Sequence, residues 1–269
     1  MNFENVKSVI MPEDCYKFIP LTLEDIVYAK QNNTAITGYV VRVSDNALVV
    51  SFGNNIMGNL PFSEVSIYEF TYSSNPNNHL PIQIGTLLHK KIRVLVTDID
   101  NYHISLSRKA NIIKAVEYLS TCEYVFMHIT NLTTKMAFGD IGDGINACLN
   151  IKYVSKTNIN NISEVLHKGD KLWMYVSSHD ELNRFVVSYK DTFNEYNPND
   201  YHEGDAIVGT IKFPTDSQHS GYFVHITPQV CGIMDTNSLI PILRYGQKVE
   251  FSVIEAREKG LKLKFLRLV

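Results

Sequence analysis

Gly169-Asp170-Lys171-Leu172-Trp173-Met174-Tyr175-Val176, then His179-Asp180-Glu181, then Arg184-Phe185-Val186-Val187-Ser188-Tyr189-Lys190 reads as a strand, an acidic turn and a second strand. The cadence occurs twice more. Gly85-Thr86-Leu87 leads through Ile92-Arg93-Val94-Leu95-Val96 to Asp98-Ile99-Asp100 and Ile104-Ser105-Leu106-Ser107-Arg108-Lys109. Gly246-Gln247-Lys248-Val249-Glu250-Phe251-Ser252-Val253 leads through Ala256-Arg257-Glu258 to Leu261-Lys262-Leu263-Lys264-Phe265. The three glycines stand 84 and then 77 positions apart. Self-similarity at a near-constant spacing marks a repeated structural unit, and it decides the fold before any local reading does.

Upstream of each closing segment lie further strand signals. Ala35 to Val43 and Ala47 to Phe52 are rich in β-branched residues and joined by the turn sequence Ser44-Asp45-Asn46. Five or so short strands per unit, with no alternation of strand and long helix, point to a small closed β fold, and a five-stranded Greek-key barrel fits the length. Residues 1–33 carry no sheet pattern, but Thr22 to Lys30 reads as a short helix with Thr22 as its cap and Asp25 three places on. Lys109 to Leu119 sets Ile112, Ile113, Val116 and Leu119 at helical spacing and reads as a linking helix. Ser73 to His79 is a loop by composition and Asn194 to Asp200 a second linker. The expected organisation is an N-terminal segment over 1–33 and barrels over 34–112, 121–193 and 201–269. The expected fold class is all-β: three tandem barrels with short helical linkers.

Bulk properties narrow the function. The chain has 269 residues and a formal charge of −3, which argues against a nonspecific polycation while leaving room for local basic faces. There is no 18-residue apolar run and no basic-then-greasy start, so neither a membrane span nor a secretory signal is expected. Cys15, Cys122, Cys148 and Cys231 are scattered without a CxxC pair and read as reduced, mostly core thiols of a cytoplasmic protein. The histidines form no metal-ligand spacing, and no P-loop or nucleophile elbow occurs. Asp140 and Asp143 in DIGDG form a carboxylate pair, but in a turn where Asp and Gly are expected anyway. No catalysis, cofactor or metal is expected.

The units resemble the S1-type RNA-binding domain, an oligonucleotide-binding (OB-fold) barrel. The match runs through Gly38 to Val43, Gly58 to Val65 and Val96 to Lys109 in unit one. In unit two it runs through Met136-Ala137-Phe138-Gly139, Ala147 to Ile151 and Asp180 to Lys190. In unit three it runs through Gly204 to Ile211, Gly221-Tyr222-Phe223-Val224 and Gly232-Ile233. The arrangement also resembles three-repeat S1-like proteins of Gram-positive bacteria and their prophages. The resemblance implies a protein that binds single-stranded RNA, with aromatic rings for base stacking, cations for phosphates, and the ribosome or other RNA-processing machinery as a partner. It implies a face in unit two made of Phe138 at the second aromatic position, Lys135 in place of the first, Asn150 at the histidine position, and Asp180 with Arg184. In unit three Phe223 holds the aromatic place, Ser220 replaces the other ring and Asp235 the histidine. Gly260 falls at the arginine position, with Lys259 and Lys262 close by. In unit one Leu48 and Pro61 occupy the aromatic and histidine positions, and only Asp100, with His103, survives. Unit two is thus the favoured RNA face and unit one mainly scaffold.

Each position has a plainer reading. Phe138 and Phe223 could be core aromatics, and only the family register favours exposure. Asp180 and Arg184 could be an ordinary ion pair or turn cap, and Asn150 a plain turn residue. Trp173 reads as core. His89, Lys90, Lys91 and Arg93 form one basic cluster, and Lys259, Lys262, Lys264 and Arg267 another; a solvated strand face is the default for both. The rival from another class is a protein-interaction scaffold whose barrels dock on a ribosome, polymerase or nuclease.

Overall fold

The computed structural model describes residues 10–72, 81–101, 103–156, 159–214, 221–235 and 242–269. Helix α1, Leu23–Gln31, starts where Thr22 and Asp25 place it. Thr22 Oγ1 accepts from the Asp25 amide at 3.2 Å and the Asp25 carboxylate accepts from the Thr22 amide at 2.8 Å, which satisfies two donors the helix itself cannot. Its buried Ile26 joins the core of the first barrel.

That barrel consists of β1 (Ile36–Val43), β2 (Ala47–Gly53), β3 (Ile56–Pro61), α2 (Ile82–Leu87), β4 (Lys91–Asp100) and β5 (His103–Ser107), closed in the order β1-β2-β3-β5-β4. Helix α3, Arg108–Leu119, follows without a break, with Ser107 Oγ accepting from the Ala110 amide as its cap. The second barrel uses β6 (Tyr124–Leu132), β7 (Met136–Gly142), β8 (Ile145–Asn150), β9 (Lys171–His179) and β10 (Phe185–Ser188). The third uses β11 (Ala206–Pro214), β12 (Gly221–Thr227), β13 (Val230–Asp235), β14 (Lys248–Arg257) and β15 (Gly260–Leu268). Both repeat the order of the first, including one parallel pair between third and fifth strands. The protein is therefore all-β with three closed five-stranded barrels, and the linking helix lies where the sequence periodicity put it. The loop expected at 73–79 lies outside the described residues. The 194–200 linker holds one short 3-10 turn, Pro198–Asp200.

Alternation along the strands fills each barrel. In unit one Val40, Leu48, Val50, Phe52, Leu60, Ile92, Val94 and Leu106 point inward. Small residues make room where strands cross closely. A Cβ on Gly38 would come within 2.4 Å of Val50 Cγ1, and one on Gly209 within 2.4 Å of Val224 Cγ1. Unit two solves the same crossing with the sizes exchanged: Met127 stands on the first strand, and the glycine is Gly139 on the second, where a Cβ would meet Met127 Cε at 2.7 Å. Conserving summed volume across a facing pair keeps the interior at crystal-like density. Helix α3 belongs to the second core, where Ile112, Ala115, Val116 and Leu119 are buried together with Val125, Ile141 and Leu149. No helix among the described residues is long and apolar enough to cross a membrane.

Candidate nucleic-acid interface

Strand register aligns the three units better than sequence matching does. In β1–β2 Val40 faces Val50 and, past a bulge, Arg42 faces Val49. In β6–β7 Ile129 faces Gly139 and Asn131 faces Phe138. In β11–β12 Ile211 faces Val224, so Phe223 is the next residue outward. Val49, Phe138 and Phe223 therefore share one position on the outer wall. This corrects the expectation for unit one: Leu48 is fully buried in the core, because a one-residue slip in a strand exchanges its faces. The two rings are open to solvent, Phe138 38% exposed and Phe223 44%.

The row continues across neighbouring strands. Phe138 faces Cys148, which pairs with Val186 on β10. Phe223 faces Ile233, which pairs with Lys262 on β15. In unit one the row is Val49, Asn59 and Ser105, with no ring, and the cation beside it is Arg42, which faces Val49 from β1.

The hairpin between the last two strands closes one end of each row. Counting from the bulges in the three pairs, Asp100, Asp180 and Arg257 are equivalent, as are His103, Arg184 and Gly260. In unit two Arg184 donates from Nε and Nη2 to Asp180 Oδ2, both at 2.7 Å, while Asp180 Oδ1 accepts the Leu182 and Arg184 amides at 3.0 Å. The bond from the Arg184 backbone, aided by its side chain, holds the Asp180 carboxyl below the usual range. Asp180 thus shapes the turn and fixes the guanidinium, which lies near enough to act on the Cys148 thiol beside Phe138. Burial nonetheless dominates that thiol and pushes it up. The pair is a turn cap and an ion pair at once, with the cation left mostly exposed.

In unit three the acid's place is taken by a cation. Arg257 reaches Glu255 at 2.7 Å, and with Lys259 and Lys262 it borders a cleft of about 350 Å³ whose floor is Phe223, Cys231 and Ile233. Sequence matching missed Arg257 and Ile233, which counting register outward from Phe223 would have found. Two of the remaining expected residues, Lys135 and Asn150, sit apart from these rows. Lys135 is exposed and donates to the Asn160 carbonyl at 3.1 Å. Asn150 ends β8, and its side chain accepts the Lys152 amide, which makes it a turn cap. Asp100 and His103 face each other, exposed, at the end of the β4–β5 hairpin. Ser220 and the side chain of Asp235 lie outside the described residues.

Two other readings need correction. Trp173 is only partly buried: its neighbours Leu172 and Met174 turn inward, and it lies edge-on to Phe126 across the strand pair at 5.4 Å. The four cysteines are all half-buried rather than core.

Two polar seams join the units. Between units one and two, Glu13 receives Arg108 on both carboxylate oxygens at 2.9 Å, accepts the Arg93 amide at 3.1 Å, and donates its own amide to Asp140 at 2.8 Å. Asp143 accepts from Asn111 at 2.9 Å and lies 3.7 Å from Arg93. Burial, then the Glu13 charge, pushes the Asp140 carboxyl up to about 7, and burial also raises Asp143. The DIGDG carboxylates are thus fastened into a joint. Half of the basic cluster of unit one is likewise engaged, since Lys91 donates to the Asp14 and Tyr16 carbonyls and Arg93 stacks on Tyr16. Between units two and three, Lys212 meets Glu164 at 3.0 Å with both side chains nearly buried, and His225 lies beside them with Nε2 unpartnered. Burial, then the nearby Lys212, pushes the His225 imidazole down to about 4. Among the described residues the buried side-chain atoms without a hydrogen bond, on Arg93, Asp143, His225 and Gln229, all fall in these seams.

Three closed five-stranded barrels of one strand order, two of them presenting an exposed ring on the outer wall, define a tandem OB-fold protein. The chain is similar over most of its length to small ribosomal subunit protein bS1. It is 25% identical to that of Leuconostoc lactis over 226 residues, covering 76% of this chain and 52% of the relative. It is 26% identical to the bS1 homolog of Bacillus cereus, covering 82% of this chain and 60% of the relative. It is also 26% identical to the homolog of Bacillus subtilis, covering 87% and 63%. The chain therefore spans about half to three-fifths of the length of these relatives. No family model matches it. Among solved structures, a multidomain protein with nucleic acid binding domains from Streptococcus pneumoniae TIGR4 aligns with 87% of this chain and 73% of its own, at 15% identity and a TM-score of 0.28. A superposition that poor carries no argument.

Proposed function

We propose that the chain binds single-stranded RNA with little sequence preference across the outer rows of units two and three, without chemistry, as a ribosomal protein S1-like factor acting on mRNA. The observation that carries this reading is the shared register of Phe138 and Phe223, both exposed, with Arg257, Lys259 and Lys262 around the Phe223 cleft. A base stacked on such a ring contributes about 1–3 kcal/mol whatever its identity, and Arg184, Arg257, Lys259 and Lys262 supply charge for phosphates. Neither unit needs to be strong alone, because tandem sites raise each other's effective concentration. Unit one, whose row is Val49, Asn59 and Ser105, fits the scaffold role better, and docking on the ribosome or another RNA-processing machine is assigned to it.

Titration of fluorescein-labelled oligouridylate at two salt concentrations tests this. Phe138→Ala and Phe223→Ala should each weaken binding by about 5- to 100-fold, following the stacking energy above. Absence of binding by the parent chain at low salt would favour the scaffold reading for all three units.

A further inference from the structure

The segment from Ile10 to Tyr16 crosses from unit one to unit two as a strap, and its chemistry is that of a short anionic strand. The Asp14 carboxylate lies between Lys171 Nζ at 2.7 Å and His128 Nδ1 at 3.2 Å, both from unit two. The Asp14 and Tyr16 carbonyls hold Lys91 Nζ of unit one at 2.8 and 2.7 Å. The Tyr16 ring takes the Arg93 guanidinium at 4.1 Å from its centre. Carboxylate, carbonyl oxygens and a flat ring thus occupy cations contributed by two barrels. The strap borders a cleft of about 920 Å³, also lined by Tyr39, His89, Lys90 and Thr130. His89 and Lys90 are exposed there and make no side-chain hydrogen bond or ion pair among the described residues.

We propose that the cation seam of Lys90, Lys91, His128 and Lys171 is a second RNA phosphate site, and that Asp14 holds it shut. The proposal rests on the RNA-binding reading above, but it concerns different residues. Glu13 is the structural anchor of the strap, buried against Arg108, whereas Asp14 is half-exposed and its side chain bonds mainly across the seam. Neutralising Asp14 therefore frees charge without emptying a buried site. Each additional phosphate contact on a single strand steepens the log–log salt dependence by about 0.7.

The test is oligouridylate binding to the full chain carrying Asp14→Asn, followed over a salt series, with thermal melting as a control. Binding should tighten by about 3- to 10-fold at low salt and the salt slope steepen by about 0.7–1.4, for one or two freed cations. Adding Lys171→Ala should reverse both changes. A parent that binds and a variant with the same affinity and slope overturn the strap proposal and leave the barrel rows standing. If neither binds, both readings fall. If only the variant binds, the seam is the principal site and the barrel rows are not.

Discussion

The two seams that join the barrels bury charge in opposite balance. Between units one and two, three carboxyl groups, Glu13, Asp140 and Asp143, face two guanidiniums, Arg93 and Arg108. Between units two and three, one carboxylate faces one ammonium, and a neutral imidazole stands beside them. The first seam has an acid too many, and a proton on Asp140 is its missing counterion. In the second seam a proton on His225 has nowhere to go. Asp140 keeps its proton in the folded chain up to about pH 7, against a free value of 3.8, so the folded state binds the extra proton between those limits. Its contribution to stability falls as pH rises through that window and is flat above it. His225 titrates near 4 when folded against 6.5 when free, so its contribution is full above 6.5 and is lost as pH falls through 4. One seam loosens toward alkali and the other toward acid.

Three substitutions sharpen or break this contrast. Glu13→Ala strips a nearly buried guanidinium of its counterion and should cost about 3–5 kcal/mol in urea unfolding. A cost under about 1 kcal/mol would mean that the first seam is not held by charge. Lys212→Ala should cost less, roughly 1–3 kcal/mol, because Glu164 keeps the amides of Asn160 and Asn161 at 3.1 Å each. Equal costs for the two would remove the asymmetry. The smallest effect is a gain: His225→Leu deletes a buried nitrogen without a partner and should stabilise by about 1 kcal/mol. That gain should grow between pH 6.5 and 4, where the parent loses stability. A variant whose pH profile parallels the parent's would show that His225 does not titrate as its surroundings require.

The barrels were legible in the sequence because their signals are local. The β-branched content of Ala35–Phe52, the Thr22–Asp25 cap and the helical spacing of Ile112, Val116 and Leu119 each fit within twenty residues, and the structure has the elements they imply. Phe138 and Phe223 were reachable because a family pattern fixed their register. Leu48 was misplaced by one because unit one has no ring to anchor the count, and in a strand one residue is a whole face. The seams were not legible. Glu13 meets Arg108 across 95 positions and Lys212 meets Glu164 across 48, so no local pattern announces either pair. Arg257 escaped for a different reason, since a cation where the pattern wants an acid looks like a mismatch until register shows the two positions to be one.

Helix α3 has a divided allegiance with a mechanical consequence. Its first residue, Arg108, is clamped by Glu13 and the Val65 carbonyl, whereas Ile112, Ala115, Val116 and Leu119 form part of the second barrel's floor. The three larger of those side chains each contribute about 1.5–3 kcal/mol by burial, on the order of one ionic clamp or more in total. Unit one holds the helix too, because it packs along β4 and Lys114 donates to the Asn33 carbonyl at 3.0 Å. The joint is thus a splice, one element seated in both barrels rather than a loose tether.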